Sequence, residues 1–179
     1  MNELEFTTEE VSLISEIINQ KSVSIIWDIN AFYFNTQQFT YKLECISDLP
    51  EGSNYEYDEI FYCRFEKLNE KVSFSSNDPK FWYKIISKEI KVDSIKIINI
   101  IQVFPKDFLI DISEISNYKK GLNKLSLGLI VETKEGSIPA FLLPSNHGFT
   151  WQTKYDFYSQ AEVSELLTDK ITKFKLRTV

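Results

Sequence analysis

The chain has 179 residues, of which 43% are apolar and 26% charged, and its formal net charge at pH 7 is −6. No apolar run approaches the roughly 18 residues of a membrane-spanning helix, which argues against a membrane protein. Lysine supplies 18 of the 20 cations, and this composition, with the negative balance, argues against nucleic-acid binding. We expect one domain over residues 1–179 and a cytoplasmic location, because the first residues lack the basic and apolar regions of a signal peptide.

The first predicted element is a helix that begins with a capping box. Thr7 and Glu10 have the spacing at which each side chain accepts a hydrogen bond from the other residue's backbone N–H. Val11, Ile14 and Ile17 recur every third residue and form one apolar stripe. The pattern predicts a helix over residues 8–20.

A β-hairpin is predicted after this helix. Residues 22–34 are mostly β-branched or aromatic, which favours a single buried strand. A turn is expected at 35–38. Residues 39–46 alternate between apolar and polar side chains, as a half-buried antiparallel strand does.

The middle of the chain is also rich in strand signals. Residues 60–66 alternate and predict a third strand, and a tight connection leads to a short strand at 72–74. After Pro79 the chain fits either a helix or a strand, and the aromatic and β-branched residues at 81–86 favour the strand. The run at 95–103 is the most apolar in the chain and predicts a central strand.

One helical turn at 111–115 and then a clear hairpin are expected next. Residues 125–131 and 137–143 are the two strands, and Gly136 suits the positive φ of a loop of three to five residues between them. Pro139 has no backbone N–H to donate. The second strand is therefore expected to lie at a sheet edge or to contain a bulge at this residue.

The C-terminal part is predicted to contain a loop, a helix and a basic tail. Residues 144–153 show no periodicity and should form an exposed loop. Ser159 and Glu162 form a second capping box, and the apolar spacing that follows predicts a helix over 160–171. The basic residues that follow either complement the negative end of this helix or form a basic tail; they are Lys170, Lys173, Lys175 and Arg177.

Together these elements predict an α+β fold, with a mostly antiparallel sheet of six to eight strands and N- and C-terminal helices packed on it. The composition supports many strands, since 22 Ile, 14 Phe and 9 Tyr stand against 3 Ala. The same bias is typical of AT-rich genomes, and we expect a bacterial source.

Charge is distributed unevenly along the chain. Residues 1–60 contain 12 acids and 2 bases, a net charge of −10, whereas residues 61–179 contain 14 acids and 18 bases, a net charge of +4. The densest part is residues 48–59, here called the acidic segment, with five carboxylates, two tyrosines and no cation. Such asymmetry indicates an electrostatic partner or, alternatively, a solvated surface that maintains solubility.

No motif of the sequence predicts catalysis, a metal or a cofactor. The only histidine is His147, which excludes a multi-histidine zinc site. The acidic segment fails the spacing of a calcium loop, because its glycine comes one position too early. No glycine pattern fits a phosphate-binding loop. Cys45 and Cys63 lie in separate predicted strands. They could pair only if those strands were neighbours, and a pair of reduced core thiols is expected instead.

The sequence therefore favours a non-enzymatic protein that captures a basic partner, in the manner of an immunity protein or antitoxin acting on a bacterial toxin. Trp82 and Trp151 are expected to add anchors if they are exposed. The predicted partner-binding residues are Glu44, Asp48, Glu51, Tyr55, Glu56, Tyr57, Asp58 and Glu59. One alternative is a small enzyme with a cleft around His147. Another is an adaptor domain that pairs through a sheet edge near Pro139, and the oligomeric state is left open.

Overall fold

A computed structural model of the chain describes residues 4–48, 60–74, 83–100, 125–145, 148–152, 156–168 and 174–179. The helical turn predicted at 111–115 and the end of the strand predicted at 95–103 lie outside these residues. The described elements are α1 (Thr8–Ile18), β1 (Val23–Asp28), β2 (Ala31–Asn35), β3 (Thr40–Asp48), β4 (Ile60–Lys67), β5 (Tyr83–Ile90), β6 (Ser94–Ile100), β7 (Leu125–Thr133), β8 (Gly136–Ser145), β9 (Gly148–Trp151), α2 (Gln160–Leu167) and β10 (Phe174–Thr178).

The described strands form two antiparallel sheets. The first sheet has the order β4-β3-β2-β1-β5, and the second has the order β10-β6-β7-β8-β9. The predicted class, α+β with mostly antiparallel pairing, is confirmed, but the predicted single sheet of six to eight strands is instead two sheets of five. Alternation along a strand shows that one face is buried, yet it does not show which strands share a sheet.

The two sheets face each other across one apolar core. Its buried members include Ile25, Phe34, Tyr41, Leu43 and Phe65 from the first sheet and Ile95, Ile97, Leu129, Val131 and Ala140 from the second. Helix α1 packs against β4 and β6 and so contacts both sheets. Helix α2 packs against β8, where Val163 joins Ile130 and Phe141 on the opposite face of the second sheet. Both helices therefore contact the second sheet, but on opposite faces, and α1 also packs on the first sheet, so the expected packing of both helices on a single sheet is matched only in part.

The capping box of α1 forms as the sequence predicts. The Glu10 N–H donates to Thr7 Oγ1 at 3.2 Å, and the Thr7 N–H donates to Glu10 Oε2 at 2.7 Å. The helix ends at Ile18 rather than at residue 20. Ile14 and Ile17 are fully buried, which confirms the apolar stripe.

Glu10 also binds the outer edge of the first sheet. Its Oε1 accepts a hydrogen bond from the Phe65 N–H at 2.9 Å, and its Oε2 lies 3.3 Å from Nη1 of Arg64. The residue is only 8% exposed. One carboxylate therefore completes the capping box of α1 and accepts from an N–H of β4 on the side where none of the described strands pairs with β4.

A second contact of α1 with the first sheet joins Glu16 to Tyr41 and Lys67. The Tyr41 hydroxyl donates to Glu16 Oε2 at 2.7 Å, and Lys67 Nζ lies 3.0 Å from the same oxygen. These two hydrogen bonds, that from Tyr41 first, lower the pKa of Glu16 below its ordinary value. Burial and the hydrogen bond to Glu16 raise the pKa of Tyr41.

We expect Tyr41→Phe to lower the free energy of unfolding at pH 7 by about 1 kcal/mol, because it removes this hydrogen bond and keeps the ring. A lowered carboxyl pKa stabilises the fold above the unfolded-state value of about 4.3, and that stabilisation disappears as the pH falls through the folded-state value. The difference between the wild type and Tyr41→Phe should therefore shrink in acid. Urea unfolding at neutral and acidic pH measures it, and a difference that does not change with pH would contradict the assignment.

The strand predicted at 22–34 is two strands. The Asp28 carboxylate accepts hydrogen bonds from the N–H groups of Asn30 and Ala31, both at 2.8 Å, and the chain turns there between β1 and β2. Ile29 lies in this turn and is 66% exposed. The apolar Ile29 made the run look continuous, whereas the Asp28 side chain determines the turn.

Three further predictions of element type are wrong. Residues 71–74 form no strand and instead cross the first sheet, with the rings of Phe74 and Tyr33 5.1 Å apart. The loop predicted at 144–153 contains β9, which pairs with β8. The basic tail contains β10, which pairs with β6. For β9 and β10 the pairing partner, rather than local periodicity, decides the structure.

The predicted hairpin of β7 and β8 is confirmed, with a shorter loop. Thr133 pairs with Gly136, so the loop has two residues, and Gly136 has the expected positive φ, 137°. The Ser137 N–H points away from β7 and donates to the Tyr158 carbonyl at 2.8 Å. Because N–H directions alternate, the nitrogen of Pro139 also points away from β7, and the ladder loses no bond. Strand β8 is nevertheless an interior strand of its sheet.

The start of β7 pairs with the N-terminal segment of the chain. Leu4 forms a parallel bridge with Leu125, and the Phe6 N–H donates to Ser126 Oγ at 2.8 Å. Two residues later Gly128 lies opposite Phe141 of β8 and has a φ of 139°. A Cβ on Gly128 would lie 2.2 Å from the Ala140 carbonyl oxygen, so only glycine fits beside the backbone of β8 at this position.

Candidate partner-binding site

The acidic segment connects two neighbouring strands. Asp48 is the last residue of β3 and pairs with Ile60, the first residue of β4. Of the predicted partner-binding residues, Glu44 and Asp48 therefore belong to β3. The others lie outside the described residues; they are Glu51, Tyr55, Glu56, Tyr57, Asp58 and Glu59.

Glu44 lies on the face of the first sheet that points away from the second. It is opposite Ala31 of β2 and Arg64 of β4. Its carboxylate forms an ion pair with Lys42, whose Nζ also lies 3.6 Å from Glu66 Oε1. Burial lowers the pKa of Lys42, but the hydrogen bond and charge of Glu44 and the charge of Glu66 outweigh it and raise the pKa. Glu44 is thus partly neutralised within the protein.

Two more carboxylates share this face with Glu44. In the register of the sheet, Tyr33 of β2 lies opposite Lys42 of β3, which in turn lies opposite Glu66 of β4. On its other side Tyr33 lies opposite Ile26 of β1, and Asp28 follows Ile26 by two residues. Directly opposite residues share a face, as do residues two apart in one strand. We call Asp28, Glu44 and Glu66 the acidic face.

The acidic face affects the ionisation of Tyr33. Burial raises the pKa of Tyr33 to about 12, and the charge and hydrogen bond of Asp28 and the charges of Glu44 and Glu66 contribute to the shift. The effect shows that the three carboxylates act on one position. Sequence reasoning missed Asp28 and Glu66, because their proximity to Glu44 depends on strand order. The available signal was that Lys42, Glu44 and Glu66 all occupy polar positions in strands that alternate between apolar and polar residues.

A cavity of about 500 Å³ opens on the same face of the sheet, beside residues 71–74. It is lined by Ser24, Ile26, Asn35, Lys71, Val72, Ser73, Phe74, Ile85, Lys88 and Glu89. The Lys71 ammonium donates to the Gln37 carbonyl at 2.9 Å, and the Asn35 amide donates to the Val72 carbonyl at 3.4 Å. The Lys71 ammonium and the Asn35 amide are therefore engaged by the backbone of the protein itself.

Neither cysteine is a good nucleophile at neutral pH. Cys63 is fully buried and its thiol donates to the Leu127 carbonyl at 3.0 Å. Burial raises the pKa of Cys45 to about 11 and raises that of Cys63 as well. Reactive cysteines require the thiolate, so these environments disfavour the Cys-His pair that His147 could otherwise form. His147 itself lies outside the described residues.

Other candidate groups are accounted for by packing or lie outside the described parts. Trp151 is half-buried in β9, and its ring contacts Phe32 edge-on at 5.1 Å, so it is a core residue and not an exposed anchor. Trp82 is not among the described residues. Within the described ranges, no group of three Asp, Glu, His or Cys side chains could hold a metal ion.

The two described helices are too short or too polar to cross a membrane. Comparison of the chain with protein-family models, with curated proteins and with solved structures finds no match.

Proposed function

We propose that this chain captures a basic protein through the acidic segment and the adjoining acidic face. The observation that carries the proposal is that β3 and β4, the strands joined by the segment, also carry Glu44 and Glu66. Glu44 precedes Asp48 by four residues, about 13 Å along an extended strand. Negative charge from the segment and from the sheet face can therefore act on one partner.

The chemistry of these residues suits a partner rich in lysine and arginine. Carboxylates pair with such cations and accelerate association, while Tyr55 and Tyr57 offer contact area at a low cost in conformational entropy. Because Glu44 already forms an ion pair with Lys42, a partner must compete with Lys42 for this carboxylate. A guanidinium is a stronger competitor for Glu44 than an ammonium, because it binds a carboxylate through two parallel hydrogen bonds.

Within this class, we favour an immunity-type inhibitor of a bacterial toxin. A nuclease-type toxin has a cationic cleft that holds phosphates, and the carboxylates of the acidic segment would occupy that cleft in their place. Inhibition would then be occlusion, with no catalytic step by this chain. The proposal rests on charge and placement, and by the same argument a target that lacks a cationic cleft would not be bound.

Charge reversal in the acidic segment tests the proposal. We expect the triple variant Glu56→Lys, Asp58→Lys, Glu59→Lys to weaken capture of the basic partner about tenfold or more at low salt, because attraction becomes repulsion. The salt dependence of binding should flatten. Immobilised wild type and variant are exposed to extract of the source organism, eluted by a salt gradient, and the bound proteins identified by mass spectrometry.

The matched control reverses three exposed acids in the other half of the molecule, Glu135, Asp156 and Glu165, and has the same net charge. It should retain the basic partner. If both variants lose the partner equally, binding depends on net charge alone and the assigned surface is wrong. The partner expressed by itself should be toxic and co-expression of this chain should restore growth; a harmless partner would contradict the immunity role.

A further inference from the structure

Cys45 and Cys63 lie directly opposite each other on β3 and β4. Both face the core between the sheets. The Cys45 N–H points toward β2 and donates to the Asn30 carbonyl at 3.3 Å, and the Phe65 N–H points away from β3 to Glu10. Because N–H directions alternate, Cys63 also points its N–H away from β3, and the two cysteines form a non-hydrogen-bonded pair.

This kind of pair brings two Cα atoms to the separation that a disulfide requires. Directly opposite residues in a non-hydrogen-bonded position have Cα atoms about 4.5 Å apart, and disulfides span about 4.4–6.8 Å. Both thiols are free. Cys45 is half-buried and Cys63 fully buried, so an oxidant from solvent reaches Cys45 first.

We propose that Cys45 and Cys63 are a modification site that forms a cross-strand disulfide with a low-molecular-weight disulfide as oxidant. The Cys45 thiolate attacks one sulfur of the oxidant and releases its other half as a thiol. The Cys63 thiol then loses its proton to solvent and attacks the Cys45 sulfur, releasing the second half. The protein loses two electrons and two protons, and the oxidant becomes two thiols.

The bond closes a loop around the acidic segment. Residues 46–62 lie between the two cysteines and include the whole of 48–59. To form the bond, Cys63 gives up its hydrogen bond to the Leu127 carbonyl of the second sheet. The reaction should be slow at neutral pH and faster in alkali, because burial raises the pKa of both thiols. The inference is independent of the proposed partner.

The test uses the full chain under native conditions with glutathione disulfide as the oxidant. Remaining thiols are alkylated, and intact mass and peptide mapping follow the product. We expect the mass to fall by two hydrogens and the peptides containing Cys45 and Cys63 to be linked. In Cys63→Ser, Cys45 should instead carry a stable glutathione adduct, and in Cys45→Ser, Cys63 should remain unmodified.

The oxidation rate measured in urea shows whether the disulfide forms in the folded protein, where β3 and β4 are paired, or only after unfolding. Low urea concentrations that leave the protein folded should leave the oxidation rate unchanged. A rate that rises with urea in step with global unfolding would overturn the proposal. Two results with the wild type alone would also overturn the proposal. In one, both thiols can still be alkylated after treatment with the oxidant in alkali; in the other, a glutathione adduct on Cys45 persists.

Discussion

Replacing Gly128 by alanine should lower the free energy of unfolding by about 3 kcal/mol or more. Gly128 has a φ of 139°, which an L-residue rarely adopts, and its missing Cβ leaves the space through which β8 passes. A Cβ would lie 2.2 Å from the Ala140 carbonyl oxygen and 2.6 Å from the Phe141 Cα. These contacts are with backbone, which cannot move aside as a side-chain tip can. The midpoint of urea unfolding measures the loss.

Gly136→Ala is the matched control, because Gly136 has a similar φ of 137°. Its Cβ would approach the Tyr158 carbonyl oxygen at 2.8 Å, at the end of the hairpin and not inside the sheet. We expect a smaller loss for this variant. Equal losses would show that backbone strain alone accounts for the effect, and a neutral Gly128→Ala would contradict the close approach of the β8 backbone to Gly128.

The second large effect is expected from Glu10→Ala, which should cost about 3 kcal/mol. The carboxylate binds the N–H groups of Thr7 and Phe65 at 2.7 and 2.9 Å and lies 3.3 Å from the Arg64 guanidinium. Its removal leaves the Thr7 N–H and the buried Phe65 N–H without their acceptor, while Thr7 still caps α1 through its hydroxyl. Glu10→Gln keeps one acceptor oxygen and should lose less. Urea unfolding at neutral pH gives both values.

The second capping box supplies the control for this prediction. Glu162 binds the Ser159 N–H at 2.7 Å in the same motif, but it is exposed. Glu162→Ala should therefore cost only about 1 kcal/mol, the usual value of a cap. Glu9→Ala removes an exposed neighbour of Glu10 in the same turn and should change stability by less than about 0.5 kcal/mol. A Glu10→Ala variant no worse than Glu162→Ala would refute the role at the sheet edge.

Short sequence motifs correctly predicted the elements whose structure depends on residues that are neighbours in the sequence. The capping boxes at Thr7 and Ser159 and the hairpin closed at Gly136 are all present. Predictions failed where a distant partner decides the structure. Strand β10 forms because β6 pairs with it, although Lys175 and Arg177 looked like solvated tail residues. The turn after Asp28 was missed because the apolar Ile29 continued the strand pattern.

The residues of the candidate site that are close together in the sequence were predictable, whereas the residues that other strands contribute were not. Counting charges identified the acidic segment and Glu44. The neighbours Asp28 and Glu66 come from other strands, and their approach to Tyr33 follows from the order and register of β1 to β4. The alternation of β4, with Cys63 and Phe65 buried, fixes the face on which Glu66 lies. It does not show which strands lie beside β4, and the approach to Tyr33 depends on those strands.

The pairing of Leu4 with Leu125 has a consequence for how the chain folds during synthesis. The Phe6 N–H reaches Ser126 Oγ across 120 residues, and the core of the first sheet is covered by β6, β7 and β8. When β1 to β4 leave the ribosome, the strands that will cover them do not yet exist. Contacts of such long sequence separation are typical of slow folding. We expect the N-terminal third to stay open to chaperones until β7 emerges.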